Sequence, residues 1–342
     1  MTKFNRRDFL RISAAALGWA TLGDLLSACS REIAATARPF AMIPSPTKTA
    51  VPATATAVPA TNTIPAPTAT QASLPDMAVT RNGEPEDLVR RAIAALGGME
   101  RFVAKGAYVI VKPNICVAYH GYQYAATTNP WVVGALVKMC FEAGAGKVQV
   151  MDYPFGGTAQ AAYAVSGIQE QVEAAGGEMV EMSMLKYVTV DIPNALHLKQ
   201  VSYFGDVLKA DTVINVPIAK VHDLSRLTLG MKNLMGLVRD RPVMHAHISQ
   251  NLADLAGFVR PKLTVVDAVR VLVSNGPTGG SLDDVKQLNT LVASPDIVAA
   301  DSYAATLFGL KPEDLGYIVA GTAMGLGRSD LQNLKIEEIA IS

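Results

Sequence analysis

Residues 211–236 read DTVINVPIAKVHDLSRLTLGMKNLMG. The apolar run 212–218 has the composition of a buried strand. Lys220 and His222 follow at its carboxyl end. A second apolar run, 227–237, has helical character and carries Lys232 and Asn233 in its middle. In open α/β sheets, ligands collect just beyond the carboxyl ends of strands. A strand, a basic strand end and an apolar helix in succession make this the organising segment of an α/β fold.

The flanking sequence repeats that grammar. Residues 84–96 have helical spacing, with Leu88, Ala92, Ile93 and Leu96 on one face. Residues 108–112 (YVIVK) form a strand that Pro113-Asn114 ends. Asn129 caps, and Pro130 starts, a helix running to 143, and Gly144 and Gly146 close it. Residues 147–151 form the next strand, ending at Asp152. A helical stretch over 158–175 breaks near Gly167. Short strands are expected at 178–182 and 187–192. The run 262–266 (KLTVV) is a strand ending at Asp267, 288–293 is another, and 296–307 is a helix. This alternation implies an α/β fold, a mainly parallel sheet with helices on both faces, in one lobe or two.

Polar residues recur in this pattern at the ends of apolar strands: Lys112, Asn114, Asp152, Lys220, His222 and Asp267. In a parallel sheet those ends share one edge, so the six are expected to border one cleft. Singly, each has an ordinary structural role, since an Asp after a strand caps the next turn. Lys232 is the most telling. It sits in LTLGMKNLMGL, so its ammonium must snorkel to water or meet an anion. Met244-His245-Ala246-His247 has spacing that suits a divalent metal, with His222 and His245 as candidate ligands. No HExxH, CxxC or phosphate-loop pattern supports it. Residues 275–280 (NGPTGG) form a turn whose backbone at Gly276 and Gly279 offers N–H groups to an anion. A plain turn explains them as well.

Composition narrows the class. The 342 residues carry 30 basic and 30 acidic side chains, a formal net charge of +0. A nucleic-acid binder normally shows a basic excess, so no nucleic-acid partner is expected. Half the residues are apolar, enough for a sizeable core. The three cysteines, Cys29, Cys116 and Cys140, are too few for a disulfide framework or a self-ligated four-cysteine iron–sulfur cluster.

The amino terminus is a targeting segment. Asn5-Arg6-Arg7-Asp8-Phe9-Leu10-Arg11 resembles a twin-arginine export motif, and Leu26-Ser27-Ala28-Cys29 resembles a lipobox. The stretch 12–26 is short for a membrane span and holds Asp24. Residues 1–29 are thus expected to be a signal, with Cys29 lipidated and the protein anchored to a membrane outside the cytoplasm. Residues 30–76 are a linker. Within it 44–75 is rich in Pro, Thr and Ala with Lys48 its only charge, and such a segment is extended. At about 3 Å per residue it reaches up to roughly 100 Å. Residues 77–342 form the globular domain.

KPN at 112–114, TTNPWVV at 127–133, KVQVMD at 147–152, DTVINVPIAKVH, LTLGMKNLMG, LTVVDAV at 263–269, the GPTGG turn and ASPDIVAAD at 293–301 together resemble the DUF362 family over nearly all of 79–342. Where members often show PKxKTH, this chain has Pro217-Ile218-Ala219-Lys220-Val221-His222, keeping the second lysine and the histidine. Many members carry a ferredoxin-like cysteine segment that implies redox partners; this chain has none, and its redox partner is unknown. The expected function is an enzyme, metal- or anion-dependent, acting on a small anionic molecule. Lys220 and Lys232 would neutralise charge and His222 would serve as acid/base or ligand. The alternatives are a solute- or partner-binding lipoprotein without chemistry and a redox-accessory protein.

Overall fold

The structure, a computed structural model, describes residues 73–342. The export signal, Cys29 and nearly all of the linker lie outside those residues. The chain begins with β1 (Met77–Arg81), α1 (Pro85–Ala95), β2 (Tyr108–Pro113) and α2 (Pro130–Glu142). β3 (Lys147–Val150), α3 (Ala159–Val165), α4 (Ile168–Ala174), β4 (Glu178–Met179), β5 (Tyr187–Asp191) and β6 (Gln200–Phe204) follow. Then come β7 (Thr212–Val216), β8 (Ile218–His222), β9 (Arg226–Thr228) and a one-turn helix α5 (Gly230–Asn233). α6 (Arg241–Ala246), α7 (Ile248–Val259), β10 (Leu263–Leu272), β11 (Val285–Ser294), α8 (Ile297–Thr306), α9 (Gly316–Ala323) and β12 (Ile336–Ala340) complete it.

Ten strands form one sheet in the order β12-β1-β11-β10-β7-β2-β3-β4, with β8 attached to β10 and β9 to β8. β11 runs antiparallel to β1 and β10, and β9 antiparallel to β8; every other pairing is parallel. β5 and β6 pair apart from it as a two-stranded ribbon. The described residues fall in one compact unit rather than two lobes.

The period-2 alternation of strand side chains separates the core into two halves. In β2, Val109 and Val111 join the core under α1 and α2, with Leu88, Ile93, Leu136 and Val137. Ile110, between them, joins the opposite half with Leu252, Leu255, Val298 and Ile318 from α7, α8 and α9. Both faces are therefore covered by helices, as a mainly parallel sheet requires.

The sheet splits where the site forms. The last rung between β2 and β7 pairs Pro113 with Val216. Pro217 follows, has no N–H to donate, and gives its carbonyl to the Asp267 N–H at 2.8 Å. Beyond it, β8 pairs with β10 and β9 and no longer with β2. Lys220 and His222 thus lie inside a continuing strand, not after its end. The space vacated beside β2 admits the loop after Asn114 and the α5 turn.

Two further expectations are corrected. The 262–266 strand continues to Leu272 through a bulge between Ala268 and Arg270, so Asp267 lies in mid-strand. A carboxylate is tolerated there because it is fully hydrogen-bonded: the Asn129 N–H reaches Oδ2 at 2.7 Å and the Val269 N–H reaches Oδ1 at 2.9 Å. The 227–237 run is a strand, one helical turn and a 3-10 turn over Leu234–Leu237, not a continuous helix. Its glycines explain the break. A Cβ on Gly230 would stand 2.7 Å from Asp301 Oδ1, and one on Gly236 would collide with Asp152 Oδ1 and sit 2.5 Å from Lys112 Nζ.

Candidate functional site

Four residues bridge the split as one chain of hydrogen bonds. Lys112, on the Ile110 face of β2, is fully buried. Its Nζ lies 2.7 Å from Asp152 Oδ1 and donates to Asn233 Oδ1 at 3.0 Å and to the Pro113 carbonyl at 2.8 Å. Asn114 Nδ2 donates to the same Asn233 oxygen at 3.0 Å. Lys220 Nζ donates to Asn114 Oδ1 at 3.1 Å, to the Ala126 carbonyl at 2.6 Å and to the Pro277 carbonyl at 2.9 Å. Asn233 Nδ2 closes the chain on the Lys112 carbonyl and Asn215 Oδ1, at 3.1 and 2.9 Å. Asp152 Oδ2 accepts the Ile115 N–H at 2.6 Å and pins the loop after β2. Burial pushes the Lys112 ammonium below its ordinary range, and the Asp152 carboxylate pulls it back.

Lys232 differs from these two lysines. It is only 8% exposed, yet among the described residues its ammonium donates no hydrogen bond and has no carboxylate within ion-pair distance. Its turn is fixed from behind: Asp301 receives the Gly230 and Met231 N–H groups at 2.6 and 2.9 Å. Burial, then the neighbouring charges of Lys220 and Arg241, bring Lys232 down from 10.5 to about 7. Burial also raises Asp301 to about 7, against the pull of the two N–H groups it accepts.

Lys232 faces a cavity of about 480 Å³. Lys112, Asn114, Asp152, Lys220, His222, Asn233 and His245 also line it, so seven of the residues picked from sequence join Lys232 in one place. Lys112, Lys220, Lys232 and Arg241 outweigh Asp152 and Asp223 around it. His222 is held at about 3 by burial and by Lys232, so it is neutral near pH 7. Its Nδ1 accepts the Leu224 N–H at 3.1 Å. The proton of the neutral ring therefore sits on Nε2, which makes the ring a donor to the cavity.

That tautomer argues against His222 as a metal ligand. A metal on Nε2 would force a proton onto Nδ1, against the Leu224 N–H. His245 borders the cavity, whereas His247 packs its ring on His197 with centroids 4.0 Å apart, so the His-x-His pair does not act together. Among the described residues no three His, Cys, Asp or Glu side chains gather in metal-binding fashion. The lining is rich in hydrogen-bond donors and carries a net positive charge.

Asp267 and the glycines of the 275–280 turn fall outside the cavity. Asp267 holds the start of α2 and is raised to about 6 by burial. The Gly279 N–H is used within its own turn, on the Asn275 carbonyl at 3.0 Å, and Gly276 packs under the Val221 carbonyl. Of that turn it is Pro277, through its carbonyl, that reaches the site. Of the lining residues not picked from sequence, four stand out. Cys116 is buried, with Sγ 3.6 Å from the Pro277 carbonyl. Tyr153 stacks beneath Arg241, whose guanidinium carbon is 4.9 Å from the ring centroid and which also donates to the Tyr153 carbonyl. Phe155 completes the set. Cys116 and Tyr153 each lie one or two residues beyond a residue that was chosen, so loop adjacency was the available signal.

Residues 109–306 match the family described as a domain of unknown function, DUF362. A thylakoid-associated protein of Synechocystis is 30% identical over 248 residues, covering 70% of this chain and 74% of that one. Among solved structures, the lactate racemase apoprotein of Thermoanaerobacterium thermosaccharolyticum aligns with a TM-score of 0.47 at 12% identity, over 67% of this chain and 56% of its own. A Thermotoga maritima protein aligns with a TM-score of 0.43 at 13% identity, over 66% and 60%. The chain therefore spans less than two thirds of either structure.

Proposed function

The chain belongs to the DUF362 family, and from its cleft we propose an enzyme that binds a small carboxylate or phosphate and exchanges a proton with it through Lys232. The observation that carries this reading is the buried, unpartnered Lys232 ammonium facing a cavity of net positive charge. Clustered ammonium groups are unfavourable until an anion compensates them. Lys112 and Lys220 are saturated by protein acceptors and set the field. Lys232 has its donors free. A group titrating near neutral pH is suited to give and take a proton, the property expected of a general acid or base. His222, donating from Nε2, orients the ligand.

Small anions such as phosphate or dicarboxylates are expected to raise the melting temperature of the protein. Lys232→Met should preserve the fold, since methionine suits the surrounding apolar run, and abolish that gain. Losing one charge-assisted hydrogen bond corresponds to about 1.5–3 kcal/mol, roughly ten- to a hundred-fold in affinity. Equal responses of wild type and variant across an anion panel would sink the reading. A tightly held ligand recovered chemically unchanged from purified protein after long incubation would favour a binding protein without chemistry.

The relative's thylakoid association supports a membrane location for this chain as well. No helix among the described residues is long and apolar enough to cross a membrane. The motifs at Arg6-Arg7 and Cys29 supply the route: twin-arginine export followed by acylation. Cys29→Ala is expected to move the protein from the membrane pellet to the soluble extracytoplasmic fraction. Persistence in the pellet after a salt wash would show that the anchor is something other than the lipid.

A further inference from the structure

The cavity has more wall than its charges need. Lys232 and His222 donate no side-chain hydrogen bond among the described residues, and Arg241 gives one to the Tyr153 carbonyl with N–H groups to spare. The other polar groups, Lys112, Asn114, Lys220 and Asn233, are spent on each other and on backbone carbonyls. Thr228, Asp223 and His245 add further polar groups, and much of the remaining lining is carbon. Ile115 and Met235 are buried in it, while Phe155 and Leu224 stand 67% and 57% exposed at its border. The cavity, about 480 Å³, falls within the range of small-molecule sites, about 300–1,000 Å³. A single carboxylate or phosphate fills a small part of that.

We propose that the ligand is an amphipathic anion: a carboxylate or phosphate head on Lys232 and His222, and an alkyl or aromatic body along Ile115, Met235, Phe155 and Leu224. This rests on the reading of the cleft as an anion site and adds the substrate class. An apolar body removes Phe155 and Leu224 from water when it binds. Ligand sites of this size are mostly apolar, with a few polar groups fixing orientation.

The test is calorimetric titration of the full protein with acetate, butanoate, hexanoate and octanoate, with inorganic phosphate against hexyl phosphate, and with octanol as the headless control. The dissociation constant is expected to fall about fourfold per added methylene until the wall is covered. Phe155→Ser and Leu224→Ser change exposed side chains, so they should fold normally, leave acetate and inorganic phosphate binding unchanged, and flatten the chain-length dependence. Lys232→Met should lose octanoate. Octanol binding as tightly as octanoate, or octanoate retained by Lys232→Met, overturns the proposal. Equal binding of acetate and octanoate also overturns it while the anion-site reading stands. No binding of any anion removes that reading and this one together.

Discussion

Lys112→Met should lower the stability of the protein by about 3–5 kcal/mol, the range for breaking a buried ion pair from one side. Both partners are out of water: the Lys112 side chain is 0% and the Asp152 side chain 4% exposed, with 2.7 Å between Nζ and Oδ1. Removing the ammonium leaves a buried carboxylate facing a methyl group. It also strips Asn233 Oδ1 of one of its two donors. Asp152→Leu should be comparably severe, because it strands the Lys112 ammonium and orphans the Ile115 N–H. The double variant is the discriminating one. With both charges gone no unpaired ion remains, so its loss should fall well below the sum of the two single losses. Urea unfolding of the four proteins measures this. Additive losses would mean that the two residues do not interact as a pair, and the account of how the split is held shut would fail.

How far this was legible in sequence follows from what each signal can carry. Periodicity and capping residues located β2, α1, α2 and α8 within a residue or two, because apolar spacing and local chemistry such as Asn129-Pro130 and Asp296 are contained in a few neighbouring positions. The convergence of Lys112, Asn114, Asp152, Lys220, His222, Lys232 and Asn233 was also readable, because a parallel sheet collects strand ends at one edge. Three things were not. Asp267 looks like a strand end and is a mid-strand residue, since nothing local reveals that Asn129, 138 positions away, supplies the N–H that makes a buried carboxylate acceptable. The fate of 227–237 depends on Asp301, 71 positions after Gly230, which binds the turn's N–H groups and leaves no room for a Cβ at Gly230. The difference between Lys220 and Lys232 was equally hidden. Both follow apolar runs, but Lys220 finds the carbonyls of Ala126 and Pro277 and Lys232 finds none. Hydrogen-bond satisfaction is a property of the folded arrangement, and it divides supporting residues from those with donors to spare.

That division has its sharpest consequence in pH. Lys232 titrates at about 7 in the folded protein, against 10.5 ordinarily. Below pH 7 it is charged in both folded and unfolded chains, and the folded state bears the desolvation cost of an ammonium that has no partner in the protein. Between pH 7 and 10.5 the unfolded chain holds the proton and the folded one releases it. The unfolded state then binds more protons, so stability rises with pH across that window. The gap is worth up to roughly 5 kcal/mol at 1.36 kcal/mol per tenfold change. Anion binding should run the other way. An anion on Lys232 favours the ammonium, so its binding takes up a proton and its affinity should weaken as pH climbs above 7. Ligand-free protein is therefore expected to gain melting temperature from pH 7 to 10 while the increment from added phosphate shrinks. Lys232→Met should flatten the first trend and remove the second. Its stability at pH 7 should exceed that of wild type, because the buried charge is gone. Melting curves at several pH values, with and without phosphate, test all three statements at once. A wild-type increment that persists at pH 10, or a Lys232→Met protein less stable than wild type at pH 7, would place the anion elsewhere or give the lysine a partner.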